Sequence, residues 1–274
     1  MFLKKKFALT STLIVGVVIS TVTSVAFAGS AQGPKSSYEV GSYRYSNYAE
    51  VLTSPMPHKP NDMVATGHVE AKTNVPTGYM GLKTELYYED KLCDVQDWYY
   101  NKDSAAGLET SAQGNCGAGN YYATGKTAAY SFGEYKIYDI TNTPKLYGGA
   151  NSFTITSSST SSESTNKGDS SFPKNKNGET YGSAENVASG SKPDLIKAIG
   201  VDGTLGYVRA KDLDTKMPEK PEEAISKQRS LAEESYREIK LYDENGEKEI
   251  GTFRISQKPD NVKESKKDSS DDYK

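Results

Sequence analysis

The stretch from Asn151 to Asn177 limits the fold of this chain more than any other feature. It is dominated by Ser, Thr, Asn, Lys and Gly and contains the run Ser157-Ser158-Ser159-Thr160-Ser161-Ser162. Such a segment gains too little burial to offset its ordering entropy, so it reads as a flexible linker. A linker in that place predicts two small units rather than one large core. Apolar content agrees: hydrophobic residues make up 35% of the chain, and adding the 24 Gly only just reaches the globular range. With 20 Tyr and one Trp, tyrosine must supply much of the bulk of any core, and its hydroxyl keeps such a core in touch with water.

The N-terminus carries an address. Lys4, Lys5 and Lys6 precede an almost uncharged run from Phe7 to Phe27, and Ala26-Phe27-Ala28 places small residues before Gly29. Basic flank, apolar middle and small-residue exit describe a secretory signal peptide, with cleavage expected between Ala28 and Gly29. No Cys follows the apolar run, so lipid attachment is not indicated. No later run approaches the roughly 20 apolar residues of a membrane span. The signal segment holds three of the 33 basic residues, which leaves 30 against 36 acidic ones and a net charge of −6. That balance argues against nucleic-acid binding.

Along the mature chain, residues 29–61 read as a polar leader contributing at most one edge strand, ended by Pro55, Pro57 and Pro60. Residues 62–148 read as a Tyr-rich β domain. Val69, Ala71 and Thr73 alternate with polar residues, as do Met80, Leu82, Thr84, Leu86 and Tyr88, and Asn74 to Gly78 carries turn chemistry. The two runs are expected to pair as a hairpin. Ser104 to Gly119 reads as a weak Gly/Ser/Ala loop, followed by strands at Tyr121–Tyr130 and Tyr135–Thr141. The linker covers 149–177.

Residues 178–256 read as a small antiparallel α+β module. Asp202-Gly203 turns one hairpin and Asp243 to Gly246 another. One helix is expected from Pro221 to Glu234, with Ile225, Gln228, Leu231, Ala232 and Ser235 on one face. Residues 257–274 form a charged tail expected to be disordered. The fold class is thus mainly β plus α+β.

The two cysteines, Cys93 and Cys116, lie in the exported part, and an even count there predicts a disulfide. It would bring Trp98, Tyr99 and Tyr100 near Tyr121 and Tyr122, making these five the candidate ligand-binding residues. Aromatic faces could stack on sugars or bury against a protein, while the plainer alternative is that they fill a small core. His58 and His68, ten positions apart, offer too few ligands for zinc, and neither HExxH nor GxSxG occurs. No catalytic residue, metal site or cofactor is predicted.

The runs ETYGSAENVASGSKPDLIKAIGVDGTLGYVRAKDL (from Glu179), PEKPEEAISKQ (from Pro218) and IKLYDENGEKEIGTFRI (from Ile239) resemble a segment of exported and membrane-anchored proteins of Firmicutes. Some of those proteins are similar to zinc-metallopeptidase sensors, but the resemblance carries no peptidase motif here. The VPTGYMG and GNCGAGNYYATGKTAAY stretches resemble small uncharacterised secreted proteins of the same bacteria. GYVRAKDL, from Gly206, is similar to the ending of bacterial Src-homology-3-type wall-binding modules, whose all-β pattern the following helix departs from. The resulting expectation is a secreted, non-enzymatic binding protein at or near the cell envelope, partnered by a wall polymer or an envelope protein. The alternatives are an envelope-directed hydrolase with an unrecognised carboxylate site and a secreted bacteriocin-like effector.

Overall fold

The computed structural model describes residues 29–54, 62–149, 172–184, 192–231, 234–259 and 261–267. The expected signal segment with Ala28, most of the Ser-rich linker, and residues from 268 onward lie outside the described residues. Gly29 is described, and its carbonyl accepts a hydrogen bond from the Thr53 N–H at 3.1 Å.

The described chain is mainly β. Its first part comprises β1 (Ser30–Gln32), β2 (Ser36–Val40), β3 (Tyr43–Thr53), β4 (Met63–Val75), β5 (Met80–Tyr88), β6 (Lys91–Tyr100), β7 (Ala105–Gly114), β8 (Gly119–Ser131), β9 (Glu134–Ile140) and β10 (Leu146–Gly148). After the linker come β11 (Tyr181–Gly182), β12 (Leu195–Ile199), β13 (Leu205–Arg209), α1 (Ala210–Leu213), α2 (Pro221–Leu231), β14 (Tyr236–Tyr242), β15 (Glu249–Ser256) and β16 (Lys263–Ser265).

One sheet runs β1–β3–β4–β7–β16, with β2 also on β3; in the other, β5 lies between β8 and β6, and β9 and β10 line β8. Val51, Ala65, Val69, Leu82, Leu86, Leu108 and Tyr121 belong to the core they share. Alternation along each strand sends one set of side chains into this core and the other outward.

Several expectations are corrected here. The runs at Val69 and Met80 do not form a hairpin: β4 pairs with β3 and β7, whereas β5 pairs with β6 and β8. The turn after Asn74 instead carries the chain from one sheet to the other. The supposed leader supplies β1, β2 and β3, and β3 is internal because β4 pairs along nine of its residues, Tyr45 to Thr53. The supposed loop from Ser104 contains β7, whose small residues Ala105 and Ala112 are buried beside Leu108. Small side chains suit the crowded middle of a sandwich as well as they suit a loop, so composition alone misled. The tail is not wholly unstructured either, since β16 pairs antiparallel with β7.

The larger correction concerns the two units. One edge of β6 is taken by β5; on the other, Leu92 pairs with Ala198 of β12 and Gln96 with Ser256 of β15, both in parallel. Because β12, β13, β14 and β15 pair in succession, β6 closes them into a ring. Leu92, Val95, Tyr87 and Tyr122 from the first half share a core with Ile196, Val208, Leu241, Phe253 and Ile255 from the second. The halves thus have a strand and a core in common.

The hairpins at Asp202-Gly203 and at Asp243 to Gly246 form where expected. Helix α2 starts at Pro221 as expected but packs on the first half, placing Ala224 and Ile225 against Tyr100 and Ala128. Gln228 on the expected face acts as a substitute strand: its Oε1 accepts from the Tyr100 N–H at 2.7 Å and its Nε2 donates to the Tyr100 carbonyl at 3.1 Å.

Candidate functional site

Cys93 and Cys116 are bonded, with sulfurs 2.04 Å apart. The bond ties β6 to the segment just after β7, and so joins the two sheets. It does not gather the five aromatic residues into one surface, which corrects that expectation. Tyr99 and Tyr121 lie in the core between the sheets, Tyr122 in the core shared with the strand ring, and Tyr100 beneath α2 with Trp98 packed beside it. Strand alternation is the reason, because Tyr99 must face away from Trp98 and Tyr100, and Tyr121 away from Tyr122. Trp98 alone among them is partly exposed; the others are buried.

A different aromatic array emerges at the end of the sandwich. Rings follow one another from Tyr138 through Tyr38, Tyr45, Tyr43, Tyr79, Tyr130 and Tyr135 to Tyr100 and Trp98, with successive centroids 3.8–6.3 Å apart. Most are half-buried, so the array is both core edge and surface. Hydroxyls find partners where they can: Tyr38 meets Thr127 Oγ1 at 2.7 Å and Tyr135 donates to the Gly78 carbonyl at 2.6 Å. Burial pushes the phenols of Tyr38, Tyr45, Tyr100 and Tyr135 above their ordinary range, so they remain neutral.

Phe132 projects beyond this array. It sits in the two-residue turn between Ser131 and Glu134, with φ of 51°, followed by Gly133 at 92°. Positive φ at both positions marks a type I′ turn, where Asn and Gly are the residues of least strain. A phenylalanine there is strained, and its residue is 93% exposed. Glu89 occupies the corresponding place in the β5–β6 turn with φ of 44°, but its carboxylate accepts from the Asn120 N–H at 2.6 Å. The Phe132 ring has no comparable internal role. The β2–β3 turn lies alongside, since a Cβ added to Gly41 would stand 4.0 Å from the ring's Cε2. Ile137, 40% exposed, adds apolar surface on the neighbouring β9.

Buried charge concentrates elsewhere, where β5 meets the second half. The Lys83 ammonium, on a fully buried side chain, donates to the Leu213 carbonyl at 2.8 Å and to Asp214 Oδ1 at 2.9 Å, and lies 4.0 Å from Glu85. Lys192 donates to both Glu85 oxygens at 3.0 and 3.2 Å, and the Tyr87 hydroxyl donates to Glu85 at 3.1 Å. Burial works against charge on Glu85, but Lys192 and Lys83 outweigh it and hold the carboxyl below its ordinary range. Asp214 is likewise burial-opposed and held low by Lys83. These carboxylates accept hydrogen bonds and part with protons readily; neither is poised as a general acid near neutral pH.

His68 belongs to a cross-strand row, directly opposite Tyr48 on one side and Glu109 on the other, with Lys263 beyond. Its ring stacks on Tyr48 with centroids 4.3 Å apart, and its Nδ1 is 3.5 Å from Glu109. Burial lowers its pKa, against the pull of Glu109, Glu50 and Glu70. The unfolded chain therefore binds this proton more readily than the folded one. Stability from the neutral ring is present above the ordinary histidine pKa of about 6.5 and is lost as pH falls below it. Thermal melts at pH 7.5 and 5.5 should show a fall in Tm that His68→Gln reduces; an equal fall in the variant would assign it to other groups. His58 lies outside the described residues, and among the described residues no cluster of His, Cys, Asp and Glu could hold a metal ion.

Family models, curated proteins and solved structures were each compared with the chain, and none matches it. The site reading therefore rests on the geometry. Sequence reasoning did not single out the exposed Phe132, although Phe132-Gly133 lies between the strand runs that end at Tyr130 and begin at Tyr135. It also missed the Lys83 cluster, because Lys83 and Glu85 alternate with apolar residues as solvent-facing residues do.

Proposed function

We propose that the chain is an exported, non-enzymatic binding protein acting at or near the bacterial cell envelope, and that it contacts a wall polymer through the turn carrying Phe132 and the tyrosine rings behind it. The observation that carries this reading is Phe132 itself: a strained position holds an apolar ring that no described residue covers. Backbone outliers cluster at ligand contacts, where the surrounding turn holds them in place. Half-buried tyrosines suit a sugar polymer, since each offers a flat face and a hydroxyl.

The N-terminal signal-like segment supports delivery outside the cytoplasm.

Co-sedimentation of residues 29–274 with purified bacterial cell walls tests the reading. Retention reversible by soluble wall fragments is expected, and Phe132→Ala should weaken it about tenfold, the effect of losing a central aromatic contact. Its thermal stability should not change. No retention, or equal retention of the variant, would refute the proposal.

A further inference from the structure

The edge of β7 holds a short strand from far along the chain. Strand β16 pairs there over three residues only, Lys263 with Glu109, Glu264 with Leu108 and Ser265 with Gly107, although β7 runs from Ala105 to Gly114. The short strand is held by more than its ladder. The Glu264 carboxylate accepts from two successive backbone N–H groups, Lys102 at 2.8 Å and Asp103 at 3.2 Å.

That clasp is braced by the preceding residue. The fully buried Asn101 donates from Nδ2 to the carbonyls of Asp103, at 2.7 Å, and Pro76, at 2.9 Å, while its Oδ1 accepts from the Met80 N–H at 2.8 Å. At the other end, Asn74 makes a reciprocal pair with the Lys267 backbone, 2.9 Å in each direction, and the Lys267 ammonium donates to the Lys72 carbonyl at 2.9 Å. Gly107 lets the Ser265 hydroxyl lie over its Cα; a Cβ there would stand 2.3 Å from Ser265 Oγ, so that hydroxyl would have to turn away.

The geometry points to β7 as a peptide-docking edge that selects an extended segment with a glutamate, a small residue after it and a lysine two positions further on, now filled by the chain's own Val262–Lys267. Added-strand recognition works in this way: backbone pairing supplies affinity, and side-chain sites at fixed positions supply specificity. The resident segment is suited to exchange, because Lys263 and Ser265 are exposed and only Val262 adds a contact with the core. Its advantage over a free peptide is tethering, which gives a high effective concentration without further contacts. The site is distinct from the Phe132 surface and does not depend on the reading given for it.

The test uses the whole mature chain and a fluorescent peptide of sequence 259–267, followed by anisotropy. Val262→Asp combined with Glu264→Lys frees the resident strand without altering β7. This variant should bind the peptide at least about tenfold more tightly than the unaltered chain does. Adding Gly107→Val should abolish that gain, and a peptide with Gln in place of Glu264 should bind about fivefold more weakly. Glu264→Ala alone, which spares the Val262 contact, should give a smaller gain of the same sign, and near-UV circular dichroism checks the fold of each variant. Equal peptide binding by the freed and unaltered chains, or a gain that survives Gly107→Val, would overturn the proposal.

Discussion

Lys83→Met should lower the stability of this protein by about 3–5 kcal/mol, the usual cost of removing one member of a buried ion pair. For a domain of this size that corresponds to a fall in Tm of roughly 10 °C. The residue replaced is fully buried, and its ammonium serves Asp214, Glu85 and the Leu213 carbonyl together. Methionine fills the volume but leaves Leu213 without this donor and Glu85 with Lys192 as its remaining cation. The Glu85 carboxyl should then titrate at higher pH, shifting acid unfolding upward. A double-mutant cycle with Glu85→Gln isolates the effect: the double variant should lose less than the sum of the single losses. Additive losses would show that Lys83 acts through Asp214 and the Leu213 carbonyl rather than through Glu85. Lys192→Met should cost less, because that side chain is 21% exposed and water can reach the partner it leaves behind.

Replacing both cysteines by serine should cost about 3 kcal/mol by the loop-entropy relation, given their separation of 23 residues. Thermal melts of the double serine variant, and of the native chain with and without reductant, measure the effect. Cys93 leaves β6 in one sheet and Cys116 follows β7 in the other, so the loss should appear as weaker cohesion of the two sheets. An unchanged Tm after verified reduction would mean that the cores hold the sheets together unaided.

Much of the fold was legible in the sequence because its short-range signals have local causes. The Asp202-Gly203 turn, the Asp243 to Gly246 turn, the break between Tyr130 and Tyr135 and the start of α2 at Pro221 each depend on a few neighbouring residues. Pairing partners were not legible, because they depend on what covers each face. Lys83 and Glu85 gave β5 an alternating pattern that matched a solvent-facing hairpin, yet both side chains are buried beneath the second half. Ala105 to Gly114 looked like a loop because small residues are common both in loops and between closely packed sheets. The candidate site fared likewise. A count of tyrosines implied an aromatic core, but which rings would reach the surface depended on register, and register placed Tyr43, Tyr79 and Tyr130 there instead of Tyr121 and Tyr122.

The position of β16 has a consequence for how the molecule is made. A ribosome delivers residues in order, and β1 to β3 emerge long before residues 263–265 are available to line β7. The ring is equally late, since β6 must wait for β12 and β15, roughly a hundred residues or more downstream. Until then the open edges of β6 and β7 offer unpaired backbone to any other strand. Both edges are therefore completed late, and the period before that is when this chain is most exposed to aggregation.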